Sequence, residues 1–391
     1  MTAGQARTRV LDEALRFRVI NAAGFITTLG GAPLPADVRE AMASAGSVNM
    51  EIRALQDWAG QKIAAATGAE AGWVCDGAAS GLTLGAAAAI AGQDPGVADT
   101  LPHPPGDPEI VVQRTLHNSY DRALRLAGAR LVPAGYPSRT GLGRTYRWEI
   151  EAAITSRTVA LAFSVIPDAG GIPLQEYAAI AHAHGLPVIV DASAELPPTA
   201  NLHRFIDLGA DLVVFSGGKG LRGPQASGMV AGRRDLIAAI RFQSLDMDVD
   251  PGIWMAEEGV EPFQHGIGRS MKVGKEEIVG LVAALDLFLR SDHESAATEM
   301  EVWLRQVASQ IDHAHVYPPK TLGFYPRLTV DRTPDRARHI YRRLAAGDPP
   351  VRISQATLET GRVMLCAEAI EPADRPLVAQ RFIEAISITY T

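Results

Sequence analysis

The sequence predicts an α/β fold, with a mostly parallel central sheet covered by helices on both faces and a smaller C-terminal α+β domain. Two observations carry this. Seven short apolar runs ("GWVCD", "EIVVQ", "RLVPA", "TVALAFSV", "LPVIVD", "DLVVFS", "GMVAG") follow one another through the middle of the chain. They are continuous rather than alternating in polarity, which suits strands buried on both faces. Between several of them lie helical patterns, "SGLTLGAAAAIAG", "SYDRALRLAG" and "LQEYAAIAHAHG", each ending in a glycine that suits a helix C-terminus. Strand–helix alternation of this kind gives a layered sheet, and ligands of such sheets bind outside the carboxyl ends of the strands.

The remaining elements follow in order. Residues 1–45 read as an N-terminal segment, 46–294 as the large domain and 295–391 as the small one. The Pro/Gly/Asp-rich stretch from Asp94 to Asp107 reads as a surface loop, and Asp246 to Gly268 as an irregular excursion without periodicity. One long helical pattern begins near Val273. The tail offers the strands "FYPRLTV", "VRIS" and "RVMLCA" with helices between and after them.

Composition narrows the function. A hydrophobic content of 47% with 21% charged residues is that of a globular protein. The net charge of −7 gives a nucleic-acid partner little support. Cys75 and Cys366 are the only cysteines and lack metal-ligand spacing, so neither a disulfide framework nor a metal site is expected. The N-terminus has no apolar core of a signal peptide, and the Ala/Gly-rich run is too short to cross a bilayer. These features together predict a cytoplasmic protein without a membrane partner.

The residues just after each apolar run are the candidates for chemistry. "DGAASG" (Asp76 to Gly81) opens a helix, and small residues there present free N–H groups that attract phosphate, although they also serve close packing. Asp191 ends one strand. Ser216 and Lys219 follow the next, in "SGGKGLRGPQ". A lone aspartate at a strand end often caps a turn. With the lysine beside it, it could instead grip a cofactor that has a pyridinium nitrogen at one end and an aldehyde beside a phosphate arm.

The chain resembles the fold-type-I pyridoxal-phosphate enzymes, and more closely the branch of bacterial selenocysteine synthase and D-glucosaminate-6-phosphate ammonia-lyase. The likeness runs through "RVINAAGFITTLGGAPLPADVREAM", "LQDWAGQKIAAATGAEAGWVCDGAASGLTLGAAAAIAG", "VIVDASAELPP", "DLVVFSGGKGLRGPQASGMVAGRRDLI" and "GIGRSMKVGKEEIVGL". It implies pyridoxal 5′-phosphate as cofactor. Lys219 would be its Schiff-base lysine and the base for the substrate α-proton, and Asp191 would pair with the pyridine nitrogen. Ala78, Ala79, Ser80 and Ser216 would bind the phosphate, and the glycines around Lys219 would leave room for the cofactor. His117 would stack on the cofactor ring, although a helix-capping histidine suits its local sequence equally. Arg269 and Lys272 would face an active-site anion, where local pattern alone reads a solvated helix start. Arg352 would take the substrate carboxylate unless it is an ordinary surface arginine of a strand. Thr28, with Thr27, would line the substrate cavity. Relatives carry a small apolar residue two positions after the aspartate, and this chain has Ser193.

The reaction this implies is α-proton abstraction from a small amino acid and β-elimination to a 2-oxo acid and ammonia. Aldolase, racemase or aminotransferase chemistry is the alternative, and a non-catalytic binding protein a further one. A tRNA-borne substrate is disfavoured by the acidic charge, and because the synthases carry an N-terminal tRNA-binding domain while only about twenty residues precede "VINAAG" here. A homodimer or higher homo-oligomer is expected.

Overall fold

The computed structural model describes residues 3–136, 143–167, 169–244 and 265–387. In chain order its strands are β1 (Ile20–Ala22), β2 (Ala71–Cys75), β3 (Glu109–Gln113), β4 (Arg130–Ala134), β5 (Thr158–Ser164), β6 (Val188–Asp191), β7 (Leu212–Ser216), β8 (Gly228–Gly232), β9 (Ala314–Tyr317), β10 (Arg327–Asp331), β11 (Val351–Ile353) and β12 (Arg362–Cys366). All seven apolar runs of the central region became strands of one sheet, ordered β2-β8-β7-β6-β5-β3-β4. β8 alone runs antiparallel to its neighbours.

Over the central strands both faces of this sheet are buried, which is why those strands read as unbroken apolar runs, whereas the edge strand β4 is partly exposed. Val111, Leu161, Val190, Val213 and Phe215 pack into one core, while Ile110, Val112, Ile189, Leu212 and Val214 pack into another. The alternation follows the two-residue period of a strand. The helix Ala78–Ala91 lies against the second face, and its small residues are what let it approach. A Cβ on Gly81 would stand 2.8 Å from Val214 Cγ1 and 3.0 Å from Val230 Cγ2.

The chain divides into two compact units, residues 34–290 and residues 1–33 with 291–391. Residues 34–45, read from sequence as part of an N-terminal segment, fall in the larger unit as most of the helix Ala36–Gly46, which packs on the helix Lys275–Arg290. Residues 1–33 belong with the C-terminal residues because β1 pairs in parallel with β11, an alignment of distant segments that no local pattern announces. β9 and β12 flank β10 in a second, antiparallel sheet of the same unit. The long helical pattern after Val273 is two helices, Lys275–Arg290 and His293–Ala308. Asp292 starts the second, its carboxylate accepting from the Ser295 N–H at 3.0 Å. Most of the excursion expected from Asp246 to Gly268 lies outside the described residues.

At the end of the sheet opposite the strands' carboxyl termini, Glu109 opens β3 and is 1% exposed. It accepts hydrogen bonds from Thr155 Oγ1 (2.7 Å), Arg157 Nε (2.8 Å) and Arg130. Burial pushes its carboxyl pKa up, but those three donors outweigh burial and hold it below 4.5. A depressed carboxylate stabilises the fold above its unfolded pKa, and that contribution fades as pH falls through the folded value. Glu109→Gln is therefore expected to lower stability at pH 7 by about 1–3 kcal/mol, the worth of charge-assisted hydrogen bonds. Urea titrations should show the gap to wild type closing below pH 4.5.

Candidate functional site

The larger unit brings three strand ends to one sheet edge. Cys75, Gly228 and Ser216 stand opposite one another across β2, β8 and β7, so the turn after β2 and the hydroxyl of Ser216 share that edge. β6 is the next strand, with Asp191 paired to Val214 and the Ala192 N–H bonded to the Val214 carbonyl at 3.0 Å. Asp191 and the Lys219 turn thus leave adjacent strands, the condition on which bringing the two groups together depended.

The two groups are joined through Ser193. Its main-chain N–H donates to Asp191 Oδ1 at 3.0 Å, and Lys219 Nζ donates to its Oγ at 3.3 Å. Burial lowers the proton affinity of the half-buried Lys219 amine, with the negative charges of Asp191 and Glu195 opposing it in part. Glu195 is shifted the other way: burial raises its carboxyl pKa, Arg204 and Lys219 pull it down, and Asp191 pushes it further up.

The glycines around the lysine, expected to leave room for the cofactor, also pack closely on the chain itself. Gly217, Gly218 and Gly220 are packed tightly against other chain segments. A Cβ on Gly217 would lie 2.1 Å from Ser227 Oγ, one on Gly218 2.6 Å from Gln225 Oε1, and one on Gly220 1.8 Å from the Leu196 carbonyl oxygen. Hydrogen bonds from the Gly217 N–H to Ser227 O (2.9 Å) and from the Gly223 N–H to Gly217 O (2.8 Å) close the turn. The missing side chains let these segments pack directly on the turn that carries the lysine.

The helix Ala78–Ala91 begins at this same edge. Its first main-chain bond runs from the Gly81 N–H to Gly77 O, so the N–H groups of Ala78, Ala79 and Ser80 precede it and are free of intrahelical partners. No side chain caps this end. Gly77 has φ +152°, and nothing lies within 4 Å of where its Cβ would stand. Gly228 seats the turn, since a Cβ there would be 2.9 Å from Ala78 N. Asp76 Oδ1, at the foot of the turn, is buried without a hydrogen-bond partner.

The other expected site residues are distributed as follows. His117 comes after β3, and its Nδ1 is 2.5 Å from Asp121 Oδ2, which also accepts from the Asn118 N–H. This leaves Nε2 as the nitrogen not engaged with Asp121. Arg269 and Lys272 line a cavity of about 430 Å³ with Arg53, Arg241, Trp73 and Glu51. Asp191, Ser216 and Lys219 are not among its lining residues. Thr28 and Arg352 belong to the smaller unit. Arg352 lies in β11 opposite Asn21 of β1, and Thr28 is exposed on a turn, Thr27–Leu29, that follows β1.

Sequence reasoning missed Asn21 and the link through Ser193. Asn21 Nδ2 donates to Gly24 O (2.8 Å) and Gly31 O (2.7 Å), and its Oδ1 accepts from the Ala23 N–H, so one side chain ties both ends of the segment that carries Thr27 and Thr28. The signal was a single asparagine inside an apolar run, in "VINAAG". Ser193 was noticed only as a departure from relatives.

A sheet of this order, with a carboxylate and a lysine at adjacent strand ends and an uncapped helix start beside them, defines the class of fold-type-I pyridoxal-phosphate enzymes. The chain belongs to the aminotransferase class-V family, whose model matches residues 96–311. It is 35% identical over 341 residues to the 5′-C-glycyluridine monooxygenase-decarboxylase of Streptomyces sp, covering 85% of this chain and 75% of that protein. It is 32% identical over 306 residues to the D-glucosaminate-6-phosphate ammonia lyase of Salmonella typhimurium (strain 14028s / SGSC 2262), covering 76% and 74%. A solved D-glucosaminate-6-phosphate ammonia-lyase superposes with a TM-score of 0.77 at 28% identity, covering 94% of this chain and 95% of that one. Pyridoxal 5′-phosphate is the cofactor this membership carries. The residues at the sheet edge fit it, with three N–H donors and open space at Gly77 for the phosphate, a carboxylate for the ring nitrogen and an amine for the aldehyde. Among the described residues, no helix is long and apolar enough to cross a membrane and no cluster could hold a metal ion.

Proposed function

We propose that this chain is a pyridoxal-phosphate-dependent lyase, which removes the α-proton and a β-substituent from a small amino acid and yields a 2-oxo acid and ammonia. The observation that carries the reading is the linked Asp191–Ser193–Lys219 arrangement beside an uncapped helix start. The cofactor, when bound, makes the α-C–H bond of an attached amino acid acidic. The chain's residues supply the rest. Asp191 keeps the ring nitrogen protonated, and the N–H groups of Ala78, Ala79 and Ser80 with the Ser216 hydroxyl bind the phosphate. Lys219 would attach the cofactor and, with its proton affinity lowered by burial, take the α-proton and pass it to the hydroxyl that departs from Cβ as water. His117, oriented by Asp121, covers the ring. Thr28 and Arg352 serve the substrate, the guanidinium taking its carboxylate. Arg269 and Lys272 give their cavity cationic groups for an anionic part of a substrate or cofactor.

For a β-hydroxy amino acid, water leaves from Cβ and Cα, and a second water then replaces the amino group, so the amino acid becomes one 2-oxo acid and one ammonia. The ammonia lyase at 32% identity supports this chemistry. A second reading is favoured by the relative at 35% identity, named as a monooxygenase-decarboxylase: oxygen-dependent loss of the substrate carboxylate. One assay separates them. The purified protein with pyridoxal phosphate is offered D- and L-β-hydroxy amino acids, with and without a phosphate, while ammonia, 2-oxo acid, carbon dioxide and oxygen uptake are followed. Ammonia and 2-oxo acid in equal amounts without oxygen uptake support the lyase. Carbon dioxide released with oxygen consumption overturns it in favour of the second reading. The enzyme works in the cytoplasm as at least a homodimer, a state that light scattering reads directly.

A further inference from the structure

Ser193 occupies a position that the assignment of Lys219 and Asp191 leaves unexplained. It is the residue two beyond the carboxylate, and it touches both members of the pair with different atoms. The main-chain N–H holds Asp191 Oδ1 at 3.0 Å, and the hydroxyl oxygen receives Lys219 Nζ at 3.3 Å. That is the only hydrogen bond of the Lys219 amine among the described residues. Asp191 and Glu195 are the two charged groups that act on it, through their negative fields. An alanine would keep the N–H to the carboxylate and remove only the hydroxyl, so the two contacts can be separated chemically.

We propose that Ser193 is a positioning residue for Lys219, whose hydroxyl anchors the lysine amine beside Asp191 and so sets both where the amine waits for the cofactor and how firmly it holds its proton. The role depends on the reading of Lys219 as the cofactor lysine only for its consequence in catalysis. The anchoring itself belongs to the unloaded chain. Two effects follow from one hydrogen bond. A hydroxyl oxygen accepting from the amine favours the charged form, because an ammonium is the stronger donor. Without it the half-buried amine has lost its acceptor while the fields of Asp191 and Glu195 remain. Its proton should leave at lower pH. The untethered side chain should also spend less time in the geometry that captures an aldehyde, which slows attachment.

The test uses the full-length protein freed of cofactor, as wild type, Ser193→Ala and Ser193→Thr. Competitive acylation across pH, read by mass spectrometry at Lys219, gives the titration of that amine. Stopped-flow absorbance after addition of pyridoxal phosphate gives the rate of attachment. Ser193→Ala is expected to titrate at lower pH and, above the amine's titration range, to attach cofactor about 2- to 10-fold more slowly, the worth of one hydrogen bond. Ser193→Thr, which keeps a hydroxyl, should return both readouts toward wild type. A merely structural role would move the melting temperature and leave the titration alone. An unchanged titration in a folded Ser193→Ala protein overturns the proposal. If acylation shows the shift but no variant attaches pyridoxal phosphate, the anchoring stands and the cofactor role of Lys219 fails, so the two ideas fall separately.

Discussion

Lys219→Met is expected to leave a folded protein that no longer fixes pyridoxal phosphate under borohydride and has lost its lysine-dependent visible band. Turnover should drop by at least about 10³-fold, because one side chain supplies both the attachment point and the base for the α-proton. The variant also makes a stability prediction of opposite sign. Burial lowers the proton affinity of Lys219 in the unloaded fold below its ordinary 10.5. A base with a depressed folded pKa costs stability while it is charged, below the folded value. The cost disappears as pH rises through the unfolded value. Methionine has similar reach and no charge, so the unloaded variant should melt at or above the wild-type temperature at pH 7, with the difference shrinking toward pH 10.5. Loss of the band with an undiminished melting point ties the chemistry to the amine. A collapse of the fold would leave Lys219 a structural residue.

The parts of this site legible in the sequence are those fixed by short-range pattern. Seven apolar runs gave seven strands, most of them continuous because burial on both faces forces hydrophobicity, and an aspartate and a lysine at successive strand ends came together because β6 and β7 are neighbours. Contacts between distant segments were not legible. "VIN" looks like any short apolar run until β11 lies beside it, and the membership of residues 1–33 in the C-terminal unit depends on that pairing. The break between the two helices after Val273 was readable in principle, from Asp292 as an N-cap residue followed by acidic and small residues, but the apolar periodicity on either side masked it. The glycines after Ser216 were visible, but the backbone that packs against them was not. A sequence shows that side chains are missing. It does not show whether a ligand or the protein's own backbone fills the space.

Gly220 turns that distinction into an experiment. A Cβ at this position would lie 1.8 Å from the Leu196 carbonyl oxygen, 2.5 Å from its carbon and 3.0 Å from Pro197 Cδ. No rotamer relieves a contact with backbone, so the 217–223 turn or the Leu196 segment must move. Gly220→Ala is therefore expected to cost about 3 kcal/mol or more, at the upper end of overpacking, and to displace Lys219, its immediate neighbour in sequence. Cofactor attachment should fall even at saturating pyridoxal phosphate, although no reacting group has been altered. Gly46→Ala is the control, since the nearest atom to its Cβ would be Glu276 Oε1 at 3.6 Å, an ordinary contact at a helix end. That change should be close to neutral in both melting and attachment. If Gly220→Ala instead melts like wild type yet fails to hold pyridoxal phosphate, the glycine was keeping space for the cofactor after all. Loss of stability in the cofactor-free protein, in contrast, assigns the glycine to the packing of the turn on Leu196, with the cofactor a beneficiary of a loop the protein has already made rigid.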